Sequence, residues 1–155
     1  MDQEFFIESI RQNEDTYFRV AKSILHYDTD VEDAVQEGIL LAYKKRNTLR
    51  DISCFRTWST RIIMNECFRL LKKRKKEVNL NEDITATESV GLSDRLELYE
   101  ALRSLPLKIR IVIVLYYIEG YSTAEIGNIL HIPVGTVKSR LYKGRRLLKY
   151  LLEDN

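Results

Sequence analysis

Helix breakers are scarce in this chain: its 155 residues hold two prolines and six glycines. Long stretches run uninterrupted, and helix is the regular structure that such stretches propagate. Apolar residues recur at helical spacing from Phe5 to about Leu25, from Val31 to about Arg46 and from Cys54 to Lys75. No strand–turn–strand alternation appears. The expected fold class is all-α.

Two interruptions punctuate the first half. "HYDTD" ends the first helix, with Asp30 as a candidate N-cap for the second. The polar loop "NTLRDIS" separates the second from the third. The third ends in "RLLKKRKK", where six of eight residues are basic. Composition then reverses. Glu77 to Gly91 carries Glu77, Glu82, Asp83 and Glu88, no basic residue and no clear periodicity. It reads as a flexible acidic linker whose fifteen residues could reach about 50 Å, beyond the roughly 34 Å of one duplex turn. Two small helical domains follow from this partition, 1–76 and 92–155, joined by 77–91.

Four short helices are expected after the linker. Ser93 is positioned to cap the first, about Asp94 to Ser104. Pro106 suits the first turn of the second, which Gly120 closes. Ser122 caps a third over Thr123 to Leu130, with Ala124, Ile126, Ile129 and Leu130 facing in. The fourth starts near Val134 or Gly135 and runs to about Leu152. On a wheel of about 100° per residue, Val137, Leu141, Gly144, Leu148, Leu151 and Leu152 share one arc. Gly144 among them would let another helix approach closely. Lys138, Ser139, Tyr142, Arg145, Arg146 and Lys149 share the opposite arc.

A basic amphipathic helix alone could be a solvated face, a membrane-surface helix or a partner helix. The residues before it decide. A short helix, the tight turn "HIP" and a polar-faced second helix make a helix-turn-helix. In that motif the second helix enters the major groove. Lys138, Ser139 and Tyr142 suit contacts to bases or phosphates, and Arg145, Arg146 and Lys149 suit the backbone.

The third helix carries a second nucleic-acid signature. Phe55, Ser59, Ile62, Ile63 and Leu70 share its core arc, while Thr57, Arg61, Asn65, Phe68 and Lys72 share another. Charge, an amide edge and a stacking ring in one strip suit unpaired bases. Trp58 borders that strip; the alternative is that Phe68 and Trp58 are simply core, and for Trp58 the two readings weigh equally. The basic tail Lys72 to Lys76 suits phosphate tracking. On the second helix, Val31, Ala34, Val35, Gly38, Leu41 and Ala42 face one way, and Asp33, Gln36, Glu37 and Leu40 the other. By itself that acidic strip reads as a solvated face, with Leu40 hinting at a protein contact.

Other classes recede. No Walker loop, G-x-G-x-x-G or G-x-S-x-G is present, and no cofactor or metal is expected. His26 and His131 are isolated and read as surface or turn residues. Cys54 and Cys67 form no C-x-x-C pair, which suggests a reducing compartment. The start has no signal-peptide pattern, and the longest apolar run, Ile111 to Ile118, is too short to span a bilayer. A soluble cytoplasmic protein is expected.

Three segments together resemble the extracytoplasmic-function sigma factors, a compact branch of the bacterial sigma-70 family. "DTDVEDAVQEGILLAY" (Asp28 to Tyr43) is similar to region 2.2, which binds core polymerase. "FRTWSTRIIMNECFRLLKKRKK" (Phe55 to Lys76) is similar to regions 2.3 and 2.4, which melt and read the minus-ten element. Leu105 to Leu148, with "VGTVKSRLYKGRR" its most specific part, is similar to region 4, which reads the minus-thirty-five element.

The resemblance implies that Asp33, Gln36, Glu37 and Leu40 dock on the polymerase β′ coiled coil. It implies that Asn65, with the loop Asn47 to Ser53, captures a flipped non-template base. The implied minus-ten set is Thr48, Leu49, Arg50, Trp58, Arg61, Asn65, Phe68, Arg69 and Lys72. The implied minus-thirty-five set is Thr136, Lys138, Ser139, Arg140, Tyr142, Lys143 and Arg146. Implied partners are core RNA polymerase, through its β′ and β subunits, promoter DNA and an anti-sigma factor, with no small-molecule substrate and no enzymatic activity. Gly38–Ile39 departs from the family, which usually has a larger residue followed by Phe. The loop "NTLRDISC" is idiosyncratic. No N-terminal autoinhibitory domain or region 3 domain is evident, as in the compact branch. The rival reading is a conventional helix-turn-helix regulator, which predicts a ligand or phosphoacceptor domain in the first half.

Overall fold

The computed structural model describes residues 1–78 and 94–153. The described residues are helices and short turns without strands, and they form two compact units, one on each side of that division. Most of the expected linker and the Ser93 cap lie outside the described residues.

The first unit is three mutually packed helices, α1 (Gln3–Ile24), α2 (Asp28–Lys44) and α3 (Phe55–Val78). Asp2 caps α1, accepting from the Glu4 amide. The N-cap of α2 is Tyr27, not Asp30. Asp30 instead lies inside the first turn, buried, where its carboxylate takes an arginine from α3. A side chain spent on a cationic fork is not available to the helix's own amides.

The core joins Tyr17, Val20 and Ile24 of α1 to Val31, Ala34 and Val35 of α2 and to Phe55, Ile63 and Met64 of α3. Thr60, Met64 and Cys67 are also buried, beyond the single core arc expected for α3, whereas Leu70 is only half-buried. The reason is that α3 packs against both α1 and α2, so it hides two sides. Tyr17 Oη and Ser59 Oγ meet within this core at 2.6 Å. At Gly38 the helices nearly touch: an added Cβ would overlap Ile63 Cδ1 and stand 3.1 Å from Ile63 Cα.

The loop between α2 and α3 is more regular than its polarity suggests. It holds two 3-10 turns, Arg46–Thr48 and Ile52–Cys54. Asp51 accepts from Ser53 N at 3.0 Å and Ser53 Oγ at 2.7 Å, which holds its carboxyl below the usual range. At the loop's start the Arg46 guanidinium lies over the Tyr43 ring, 3.9 Å from its centroid.

The second unit contains α4 (Asp94–Ser104), α5 (Leu107–Ile113), α6 (Thr123–Leu130) and α7 (Val134–Glu153). Pro106 stands at the N-cap of α5. A π-helical turn, Val114–Ile118, extends α5, and Gly120 follows at φ 76°. Buried side chains of α5 and its extension, Ile111 to Leu115, meet Ile126 and Ile129 of α6 and Val137 and Leu141 of α7. Gly144 admits α5 as its place on the wheel predicts: a Cβ there would lie 2.6 Å from Ile113 Cδ1. Leu148 and Leu151 are half-buried and Leu152 is exposed, because α7 outlasts its packing partners.

Candidate nucleic-acid interface

Local sequence builds the helix-turn-helix. Ser122 and Glu125 form a reciprocal capping box at the start of α6, with bonds of 3.1 and 3.0 Å. His131 ends α6 in the left-handed conformation, φ 55°. The turn then folds back tightly, with the Ile132 amide donating to Gly127 O at 3.0 Å. Gly127 is buried at this crossing and Ala124 is exposed, which corrects the inward placement of Ala124. The inner face of so short a helix is Ile126, Gly127 and Ile129.

The outer face of α7 presents Lys138, Ser139, Tyr142, Lys143 and Arg146 to solvent, with Tyr142 56% exposed. Arg140 and Thr136 are half-buried at its margins. The Ser139 hydroxyl donates to Thr136 O at 3.1 Å, so its lone pairs face outward as acceptors. Arg146 sits over the Tyr142 ring at 5.7 Å. Arg145 turns aside instead, donating to Tyr117 Oη at 3.0 Å. A shallow open groove continues the face past Leu147 to Tyr150, two residues absent from the expected set.

On α3, Asn65 and Lys72 are exposed while Thr57, Arg61 and Phe68 are half-buried. This leaves an accessible strip on a helix otherwise covered on two sides. Trp58 is half-buried, its ring 5.7 Å from that of Phe55, so it packs on the core while keeping one side open. Arg69 donates to Glu66 at 3.0 and 3.1 Å. In the loop, Thr48 and Arg50 are exposed, but Leu49 packs against the cluster of Phe6, Ala42, Phe55 and Ile62. Leu49 thus holds the loop down. On α2, Asp33, Gln36, Glu37 and Leu40 are all exposed, Leu40 at 56%.

Among the described residues, no group of acidic, histidine and cysteine side chains is arranged to hold a metal ion. No described helix is long and apolar enough to cross a membrane.

Known proteins match both units. The sigma-70 region 2 family model matches residues 9–77 and the sigma-70 region 4 model matches residues 95–148. The ECF RNA polymerase sigma factor SigW of Bacillus subtilis is 32% identical, across 99% of this chain and 91% of the relative. The chain belongs to the extracytoplasmic-function sigma factors. Solved structures agree. The sigma factor RpoE, in complex with the anti-sigma factor NepR from Bartonella quintana, aligns at a TM-score of 0.86 and 25% identity, with 96% of each chain covered. CnrH, in complex with the cytosolic domain of CnrY, aligns at 0.74 and 25% identity over 99% of this chain and 91% of that one. As an extracytoplasmic-function sigma factor, the protein is an alternative sigma factor that serves transcription initiation. The phosphoacceptor domain required by the rival regulator has no strands to build it among the described residues.

One feature escaped the reading of single helices. Asp30 and Arg74 are 44 residues apart and meet through two bonds. On single-helix wheels Asp30 reads as a cap and Arg74 as one more cation of the basic tail, and only the packing of α2 on α3 brings them together.

Proposed function

We propose that this sigma factor docks on core RNA polymerase through Asp33, Gln36, Glu37 and Leu40 of α2, and reads promoters at two separate places. The first unit takes the minus-ten element. Arg61, Asn65, Phe68, Arg69 and Lys72 of α3, the open side of Trp58, and Thr48 and Arg50 of the loop engage the melted strand. Leu49 acts from below by fixing the loop. A base flipped toward Asn65 costs a few kcal/mol of unstacking, which pocket contacts must offset. The second unit lays α7 in the major groove of the minus-thirty-five element. Lys138, Ser139, Tyr142, Lys143 and Arg146 make the contacts, and Thr136 and Arg140 flank them. Polymerase performs the chemistry and the sigma factor has no enzymatic activity of its own. Its place of work is the cytoplasm, and an anti-sigma factor holds it inactive, by analogy with RpoE and NepR.

The observation that carries this reading is the coexistence in one chain of two nucleic-acid faces of different chemistry. One is a helix-turn-helix face of cations and hydroxyls for duplex edges. The other is an Arg–Asn–Phe–Lys strip for unpaired bases. The test is transcription in vitro from a genomic fragment pool, using core polymerase with and without the protein. The expected result is protein-dependent initiation at fragments sharing a two-part motif. Duplex binding with no effect on polymerase would refute it.

A further inference from the structure

The basic end of α3 holds Lys72, Lys73, Arg74, Lys75 and Lys76. By charge alone all five would count as phosphate contacts. Arg74 differs in its bonding. Its Nη2 donates to Asp30 Oδ1 at 2.7 Å and its Nε to Asp30 Oδ2 at 3.1 Å, a fork on both carboxylate oxygens. Its remaining nitrogen, Nη1, donates to Glu77 Oε2 at 3.0 Å. All three nitrogens are occupied, and the two acids offset its charge and strengthen its hold on its proton. No ion pair involves the four lysines among the described residues.

Asp30 is the fixed end of this contact. Its side chain is only 3% exposed, so it offers solvent almost no surface. It stands in the first turn of α2, three residues before Asp33 of the outer acidic face. A partly buried ion pair like this contributes little net stability over an apolar pair, and its best-attested use is to fix register. Here it fixes the end of α3 against the start of α2.

We propose that Arg74 is a positioning residue whose fork on Asp30 aims the lysine tract relative to the docking face of α2, and so governs duplex opening rather than DNA affinity. The proposal rests on the functional reading above. With α2 seated on polymerase, the clamp delivers Lys72, Lys73, Lys75 and Lys76 in a set direction. Without it the final turns of α3, where Leu70 and Leu71 are half-buried and residues 72–77 are exposed, carry the same charge with a freer aim.

The experiment uses the full chain, core polymerase from the source organism, and a promoter fragment recovered from the genomic pool. Polymerase affinity and permanganate reactivity of melted thymines are read for Arg74→Lys, Asp30→Asn and the double variant Asp30→Asn with Arg74→Gln. Arg74→Lys keeps the charge and loses the fork. It is expected to lower opening about tenfold while polymerase affinity changes by less than about threefold. Asp30→Asn should do the same, and the double variant should be no worse than the weaker single. Full opening by Arg74→Lys would overturn the proposal, since charge alone would then suffice. So would tighter DNA binding and faster opening by Asp30→Asn, the result of a freed phosphate-binding cation. Equal losses of polymerase binding and opening would mark a general role in folding and also overturn it. Failure of the unaltered chain to initiate would overturn the functional reading, and the clamp with it.

Discussion

Replacing Gly38 with alanine sets two effects of known size against each other. In a helix interior alanine is favoured over glycine by about 1 kcal/mol. Against that gain, the new Cβ would overlap Ile63 Cδ1 and lie 3.1 Å from Ile63 Cα and 3.4 Å from Ile63 Cγ1. The side-chain atoms can swing away, although Ile63 is only 1% exposed and its neighbours are close. The Cα cannot, so α2 and α3 must part by a few tenths of an ångström. Overpacking of this kind costs about 1–3 kcal/mol. The net expectation is a loss of about 1 kcal/mol, or a Tm lower by about 4–8 °C for a unit of this size. Gly144→Ala is the companion case, with the clash falling on side chains. Its nearest neighbours would be side-chain atoms, Ile113 Cδ1 and Cγ1 at 2.6 Å and Ile109 Cγ2 at 3.0 Å, and Ile113 is only 2% exposed, so Gly144→Ala should also lower Tm, through side-chain repacking rather than a contact with main chain. Thermal unfolding followed by circular dichroism measures both. A Tm raised by Gly38→Ala would refute the reasoning, because propensity would then outweigh a contact with main chain.

Asn65→Ala should weaken promoter opening more than polymerase binding; equal losses would remove Asn65 from base capture. Ser139→Ala should relax selectivity at one minus-thirty-five position by about 1–3 kcal/mol. Because the Ser139 proton is engaged by Thr136 O, the base lost should be one presenting an amino donor in the major groove, adenine or cytosine, as selection from randomised sites would reveal. Burial, and secondarily Glu66, pushes the Cys67 thiol up to about 12 from an ordinary 9.0. A folded pKa raised this way contributes stability that is complete below pH 9 and is lost as pH rises through about 12. Cys67→Ala should therefore flatten part of that alkaline decline in denaturant titrations. At neutral pH a thiol reagent should modify the exposed Cys54 at once and Cys67 only on unfolding.

Much of the architecture was legible because helical periodicity is local. Breaker scarcity and the punctuation at "HYDTD", Pro106, Gly120 and "HIP" mark seven helices, and seven are described. The outer faces of α2 and α7 were equally plain, since a solvent-facing arc needs only the spacing of polar residues along one helix. Readings failed where packing decided the outcome. Ala124 belongs to an apolar set by spacing, yet α6 is too short to bury more than Ile126, Gly127 and Ile129. Thr60, Met64 and Cys67 fall outside the five-residue core arc assigned to α3, yet they are buried because α3 has two covered sides.

What the sequence by itself determined is therefore the helices, the Ser122 cap of α6 and the chemistry of the exposed faces of α2 and α7, all set by residues within a few turns of one another. Which charges remain free was decided only in three dimensions. Arg74 reads as one more cation of a basic tail, and Asp30 as a helix cap. Packing α2 on α3 brings the two together across 44 residues of chain and turns both into a clamp. Leu49 likewise left the reading face for the core once its loop closed over Phe6 and Phe55. Such outcomes depend on long-range contacts, which no local pattern of spacing encodes.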